Sequence, residues 1–279
     1  MIMSLMSKLL TSTLIATVAI SAAAQPNTET LLNYVKKNVV KNPQVKVKGI
    51  TVIEKKQHKD LPGWDVLLTT MDLEYNKKDI DAPEIIFVKD GLATGHLVNL
   101  KTGKDYRNEI KPSVPASMYN EEHRLFGNKD AKHKVLIFSD PQCPFCQELV
   151  PEIFKAAREN PKKLVVYYYH LPLLRIHPVS DVLTRVMYVA QHEGKADMVE
   201  KIYSLKIDAG EKDETKILAA VKKHADYTVT PVQINAKKVK DAIKEDANAA
   251  ARMMVGGTPT IYLDGQWDKM RNGYEKFIK

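Results

Sequence analysis

The spacing of apolar and polar residues divides the chain into two parts with different rhythms. From Thr28 to Val40, Leu31, Leu32, Val35 and Val39 recur on one side of a helix. From Val45 to Glu54, Val45, Val47, Ile50 and Val52 set against Lys46, Lys48 and Thr51 predict a half-exposed strand. Asp65–Leu73 and Glu84–Lys89 read as two more strands, with Val66, Leu68, Ile85 and Phe87 pointing inward. Leu61-Pro62-Gly63 and Asp90-Gly91 are turns, Gly95–Leu100 is a further strand, and Lys101–Lys104 closes a hairpin. The expectation is one helix on a small antiparallel sheet ending near Lys111. Such a sheet buries a modest core, and an edge strand could be completed by a second copy of the chain.

Pro112 and Pro115 mark a boundary, and Ala116–Phe126 reads as a polar, mostly helical connector ending at Gly127. The second rhythm follows. His133–Ser139 is an apolar strand and Leu164–His170 a near-continuous one. Between them Phe145, Leu149, Val150, Ile153, Phe154 and Ala157 recur at helical spacing. Strand, helix, strand implies a parallel βαβ unit. Helices are expected at Val182–His192, Met198–Leu205, Glu214–His224 and Val232–Met254. Thr230, Pro231 and Gln233 form a capping box before the last of these. Thr260–Leu263 and Gln266–Met270 flank an Asp264-Gly265 turn, and a final helix begins near Gly273.

Composition changes this picture at the N-terminus. Lys8, an apolar run from Leu9 to Ile20 and small residues at Ser21–Ala24 read as a secretory signal peptide cleaved after Ala24. The run is short for a membrane span. The remaining 255 residues suffice for two domains. Lys8 is the one charge of the leader, so the rest of the chain carries +7. The lysines are scattered over helical faces, so no nucleic-acid partner is implied.

The candidate chemistry lies at the strand-to-helix turn, where Cys143 and Cys146 are the only cysteines. Pro144 suits the first helical position, which puts Cys143 at the N-cap. Its sulfur then faces the free N–H groups of Phe145 and Cys146 and the positive end of the helix dipole, so its pKa should fall. Cys146, one turn in, should be a buried, ordinary thiol. A zinc site lacks its second ligand pair, and His170 and His177 fit no finger spacing. A structural disulfide across so short a ring adds little stability. Haem attachment would need His where Gln147 stands.

Val255-Gly256-Gly257-Thr258-Pro259-Thr260 supplies a second motif. Cys143, Cys146 and Pro259 together resemble the thioredoxin superfamily, in which a cis-proline loop lies beside the C-x-x-C. Pro151 matches the helix proline of that fold. Ile137 through Cys146 resembles the DsbC/DsbG branch of bacterial periplasmic thiol:disulfide interchange proteins. The resemblance implies an α+β and α/β chain with a signal peptide (1–24) and a small cystatin-like dimerisation domain of helix plus antiparallel sheet (25–112). A linker helix (113–127) and a thioredoxin-like catalytic domain (128–279) follow, with a helical insertion over about 178–254. The superfamily's buried acid, six residues before the first cysteine, is replaced by Ile137, so no proton acceptor for Cys146 is identifiable. Asp140 reads as a turn residue.

The resemblance implies a periplasmic disulfide isomerase or reductase with no cofactor and no metal. Cys143 would be the nucleophile and Cys146 the resolving thiol, the pair closing as a redox-active disulfide. Pro259 would shape the loop, and Thr258, Pro144 and Phe145 would hold substrate. The partners implied are misoxidised or unfolded exported proteins, a membrane thiol reductase of the DsbD type and a second copy of the chain. Two alternatives stay open. One is a DsbA-like disulfide donor served by a DsbB-type oxidase, since a Pro-Phe pair between the cysteines suits either direction. The other is a holdase chaperone.

Overall fold

The computed structural model describes residues 27–278. The leader read at residues 1–24 lies outside the described residues. Among these, no helix is long and apolar enough to cross a membrane.

Helix α1, Thr28–Tyr34, begins where the Asn27 side chain accepts from the Thr30 N–H at 2.7 Å, and it runs on into a π turn at Val35–Val39. Strands β1 (Lys46–Lys56), β2 (Asp65–Tyr75), β3 (Lys78–Lys89) and β4 (Leu92–Thr94) follow in spatial order, each antiparallel to the next. The sheet is buried on both faces. Leu67, Met71 and Ile86 lie under Leu31 and Val35, while Val66, Leu68, Ile85 and Phe87 pack against Tyr106 and Ile110.

Two strand expectations are corrected here. β3 starts at Lys78 rather than Glu84, because Asn76 and Lys77 both take positive φ and close a two-residue hairpin pairing Tyr75 with Lys78. Gly95–Leu100 is not a strand. The Asn99 side chain accepts from the N–H groups of Lys101 and Thr102, which turns the chain, and only Val98 bridges to Asp105.

Residues 113–127 form no α-helix, contrary to the helical connector expected. Ala116–Met118 is a single 3₁₀ turn and Arg124–Phe126 is strand β5. Between them the Asn120 side chain accepts from both the backbone and ring nitrogens of His123, a local bond that competes with helix. The chain instead clamps the two parts together. Val114 N–H donates to Gly265 O at 2.9 Å, Lys111 Nζ donates to Met254 O at 2.6 Å, and Met254 packs on the Tyr106–Ile110 side of the first sheet.

The second sheet has the order β5-β7-β6-β8-β9, with β6 His133–Ser139, β7 Leu164–His170, β8 Thr260–Leu263 and β9 Gln266–Trp267. β6 and β7 are parallel, joined by α2, Pro144–Glu159, which continues through Pro151. Both faces of these strands are buried, which is why they read as continuous apolar runs. Val135, Ile137, Val166 and Tyr168 face α2 and α3 (Ser180–His192). Leu136, Phe138, Val165 and Tyr167 face α7 (Lys237–Arg252).

Helices α4 (Ala196–Ile202), α5 (Glu214–Ala225) and α6 (Pro231–Ile234) complete the insertion. The single helix expected over Val232–Met254 is thus two. The Thr230 capping box starts α6 as read, but Asn235 ends it by donating to Pro231 O and to Glu214. The last helical turn, Gly273–Phe277, is 3₁₀.

Candidate active site

β6 carries the chain through Ser139 into a loop that ends at α2. Cys143 is the N-cap, extended at φ −69° and ψ 122°, with Pro144 at the first helical position as expected. Both thiols are free. Cys143 is 6% exposed and Cys146 is fully buried. The Cys146 thiol is the main group holding the Cys143 pKa down, from 9.0 to about 5. The Thr258 hydroxyl and the N–H groups of Cys146 and Phe145 add to this and outweigh burial. Those N–H groups face the sulfur without closing a full cap hydrogen bond, so the helix terminus acts more weakly than the neighbouring thiol. Burial drives Cys146 the other way, well above an ordinary thiol.

The Thr258–Pro259 bond is cis. Its loop lies against the motif, and the Cys143 thiol donates to Thr258 O at 3.4 Å. The Thr258 hydroxyl is buried with no hydrogen-bond partner among the described residues, placed where it can donate to a Cys143 thiolate. Cys143, Cys146, Thr258 and Pro259 are thus brought together. Pro144 and Phe145 stand at the rim, exposed, with Phe145 at 66%.

Two grooves meet the site. One, of about 720 Å³, runs from Phe145 past Leu149 to Met270, Tyr274 and Ile278. The other, of about 440 Å³, lies between Thr258 and Gly257 on one side and, on the other, Ile85 of the first sheet and Arg107 of the 3₁₀ turn Tyr106–Glu109.

Asp140 is a turn residue as read, its Oδ1 accepting from Gln142 N–H at 2.8 Å, but it is also wholly buried. Ser180 Oγ donates to Oδ1 at 2.6 Å, and Leu173 N–H and His177 Nδ1 donate to Oδ2 at 2.7 and 2.9 Å. The carboxylate therefore ties the loop before Cys143 to the chain after β7. An Asp-Pro pair signals the turn, but nothing local signals three partners more than thirty residues away. Among the described residues, no group of three or more His, Cys, Asp or Glu side chains could hold a metal ion.

The family model described as "Thioredoxin" matches residues 119–279, more than half of the chain. The chain belongs to the thioredoxin family. It is 26% identical over 150 residues to the Na(+)/H(+) antiporter NhaA 1 of Mycobacterium sp. (strain KMS), covering 53% of this chain and 24% of that protein. It thus spans about a quarter of the length of those curated relatives. It is also 22% identical over 175 residues to the probable disulfide bond formation protein D of Bacillus anthracis, covering 58% of this chain and 80% of that one. A solved thioredoxin-like oxidoreductase from Silicibacter pomeroyi DSS-3 aligns at 20% identity and TM-score 0.45, over 56% of this chain and 88% of that one.

Proposed function

We propose that this member of the thioredoxin family is a thiol–disulfide oxidoreductase acting on disulfides of exported proteins, working as an isomerase or reductase. The observation that carries the exchange chemistry is the asymmetry of the pair. Cys143 titrates at about 5 beside the Thr258 carbonyl, while Cys146 is buried with its pKa raised. At neutral pH Cys143 is the thiolate and attacks a substrate disulfide; one substrate sulfur leaves as thiolate and a mixed disulfide forms. A second substrate thiol resolves it in isomerisation, and Cys146 resolves it in reduction. Thr258 and Pro259 would line one side of the substrate backbone, and Pro144 and Phe145 the other.

The first sheet supports the isomerase direction. Exchange needs nothing from it, since every reacting group lies beyond residue 127. Its β1 edge has no strand partner among the described residues, and Ile53 there is 60% exposed. Pairing such edges between two copies would make a dimer with a shared cleft, suited to holding unfolded chains. The periplasm, a cleaved leader, the division at residues 112 and 127, chaperone activity and recharging by a DsbD-type reductase belong to the same proposal.

The name of the Bacillus relative favours a second reading, a disulfide donor recharged by a DsbB-type oxidase with the same residues run in reverse. Acid-quenching cells and alkylating free thiols separates the two. The isomerase reading expects the Cys143–Cys146 pair reduced at rest, and a pair found oxidised hands the assignment to the donor. Cys143→Ala should abolish refolding of a scrambled multi-disulfide substrate, and retained activity would remove the site altogether.

A further inference from the structure

A chain of hydroxyl groups ends at Cys146. The Ser139 and Tyr203 hydroxyls are 2.6 Å apart, and the Tyr203 and Tyr168 hydroxyls are again 2.6 Å apart. None of the three side chains is more than 2% exposed. The fold assembles them from distant places. Alternation along β6 puts Ser139 on the face of Val135 and Ile137, the parallel register sets Ile137 opposite Tyr168, and Tyr203 follows α4 in the insertion. The near end of the chain reaches the sulfur: the Ser139 hydroxyl and the Asp140 N–H both face Cys146.

We propose that Ser139, Tyr203 and Tyr168 form a buried donor chain that supports negative charge on the Cys146 sulfur while it resolves a mixed disulfide. This rests on the exchange function proposed above. Resolution needs a thiolate at a fully buried sulfur, where water cannot solvate it and burial opposes ionisation. The chain can supply donors there. Ser139 turns its hydrogen to the sulfur, Tyr203 donates to Ser139, and Tyr168 donates to Tyr203, each bond polarising the next. Burial holds both tyrosine hydroxyls far above their usual titration range, so they stay protonated and serve as donors rather than as a base. The Asp140 carboxylate is turned to four other partners, Gln142, Leu173, His177 and Ser180.

The step balances without any other reagent. Cys146 loses its proton and attacks the Cys143 sulfur. The Cys143–Cys146 bond forms as the bond from Cys143 to the substrate sulfur breaks. The electron pair leaves on the substrate sulfur, which takes up the proton that Cys146 gave up. In this step the Cys146 sulfur is oxidised from thiol to disulfide and the departing substrate sulfur is reduced from disulfide to thiol; over both steps the cysteine pair gives two electrons to the two sulfurs of the substrate disulfide. Ser139 faces the reacting sulfur and Tyr203 and Tyr168 act through it; all three are positioning residues.

The test uses the reduced full chain and oxidised glutathione, with acid-quenched samples followed by mass. The first phase adds glutathione to Cys143, and the second releases it as Cys146 closes the ring. Tyr203→Phe and Ser139→Ala should slow the second phase about tenfold, the worth of one hydrogen bond to a charged group. They should also raise the pH midpoint of that phase by about one unit. Tyr168→Phe, one bond further away, should do less, and the first phase should keep its rate in all three. A second phase unchanged in rate and midpoint overturns the proposal. So does an equal slowing of both phases, which would mean general damage. A wild-type chain with no first phase at all removes the exchange function itself, and this proposal with it.

Discussion

Asp140 shows how far one side chain reaches in this fold. Its carboxylate accepts four hydrogen bonds, from Gln142, Leu173, His177 and Ser180, with no part of it exposed. In Asp140→Asn an NH₂ group replaces one oxygen and leaves a buried backbone N–H, of Gln142 or of Leu173, without its acceptor, while Ser180 Oγ or the His177 ring must turn to accept. The expected loss is about 2–4 kcal/mol, measured by denaturant unfolding of the full chain. The loop before Cys143 should loosen with it, so thiolate absorbance against pH should place the Cys143 midpoint above about 5. The placement of Cys143 and Pro144 at the helix start was legible in the sequence because it follows from neighbours within a few positions, while the loop at Pro259 was set beside them by the resemblance alone. The distant partners of Asp140, namely Leu173, His177 and Ser180, and the hydroxyls behind Cys146 were not legible. They lie 33 to 64 residues apart, on elements whose packing no local pattern encodes.

Among elements, β6, α2 and β7 were legible because two strands buried on both faces leave long apolar runs around a periodic helix. β3 was half hidden. Lys78, Asp79 and Asp81 are exposed and polar, and the turn before them lacks the glycine that advertises a hairpin. β5 was missed altogether, although the glycine that ends it was noticed. Gly127 takes φ +85°, and a Cβ there would stand 2.1 Å from Leu164 O, where β5 pairs with β7. Only a residue without Cβ allows that approach. Gly127→Ala should therefore cost about 3 kcal/mol or more and lower the unfolding midpoint. A melting curve that does not move would mean the backbone shifts there freely.

At the scale of the whole molecule, stability should fall in acid, with His170 as one identifiable cause. It is fully buried at the end of β7 with neither ring nitrogen hydrogen-bonded among the described residues. Burial, then His123 and His192, lower its pKa from 6.5 to about 3. The folded chain thus keeps this ring neutral where the unfolded chain protonates it. Stability from this group is fully present above pH 6.5 and declines as pH falls toward 3, by up to about 1.4 kcal/mol per pH unit. Asp246, which accepts from the His170 N–H and pairs with His123, has its pKa raised by burial and acts in the opposite sense. Comparing wild type with His170→Phe isolates the histidine. Unfolding free energies at about pH 7 and about pH 4.5 should differ less in the variant. An equal drop in both proteins would place the acid sensitivity elsewhere.

The confinement of both sulfurs to one motif sets the electron stoichiometry of the chain. One molecule stores a single electron pair. In the proposed exchange, breaking one substrate disulfide empties that store and making one fills it, and the sequence holds no third thiol to pass the pair onward. As a net oxidant or reductant the chain therefore stops after one event until an outside redox partner resets it, and its throughput is capped by that encounter. In the proposed isomerase mode shuffling would carry no such cap, because each time the substrate's own thiol resolves the mixed disulfide, Cys143 recovers its electrons.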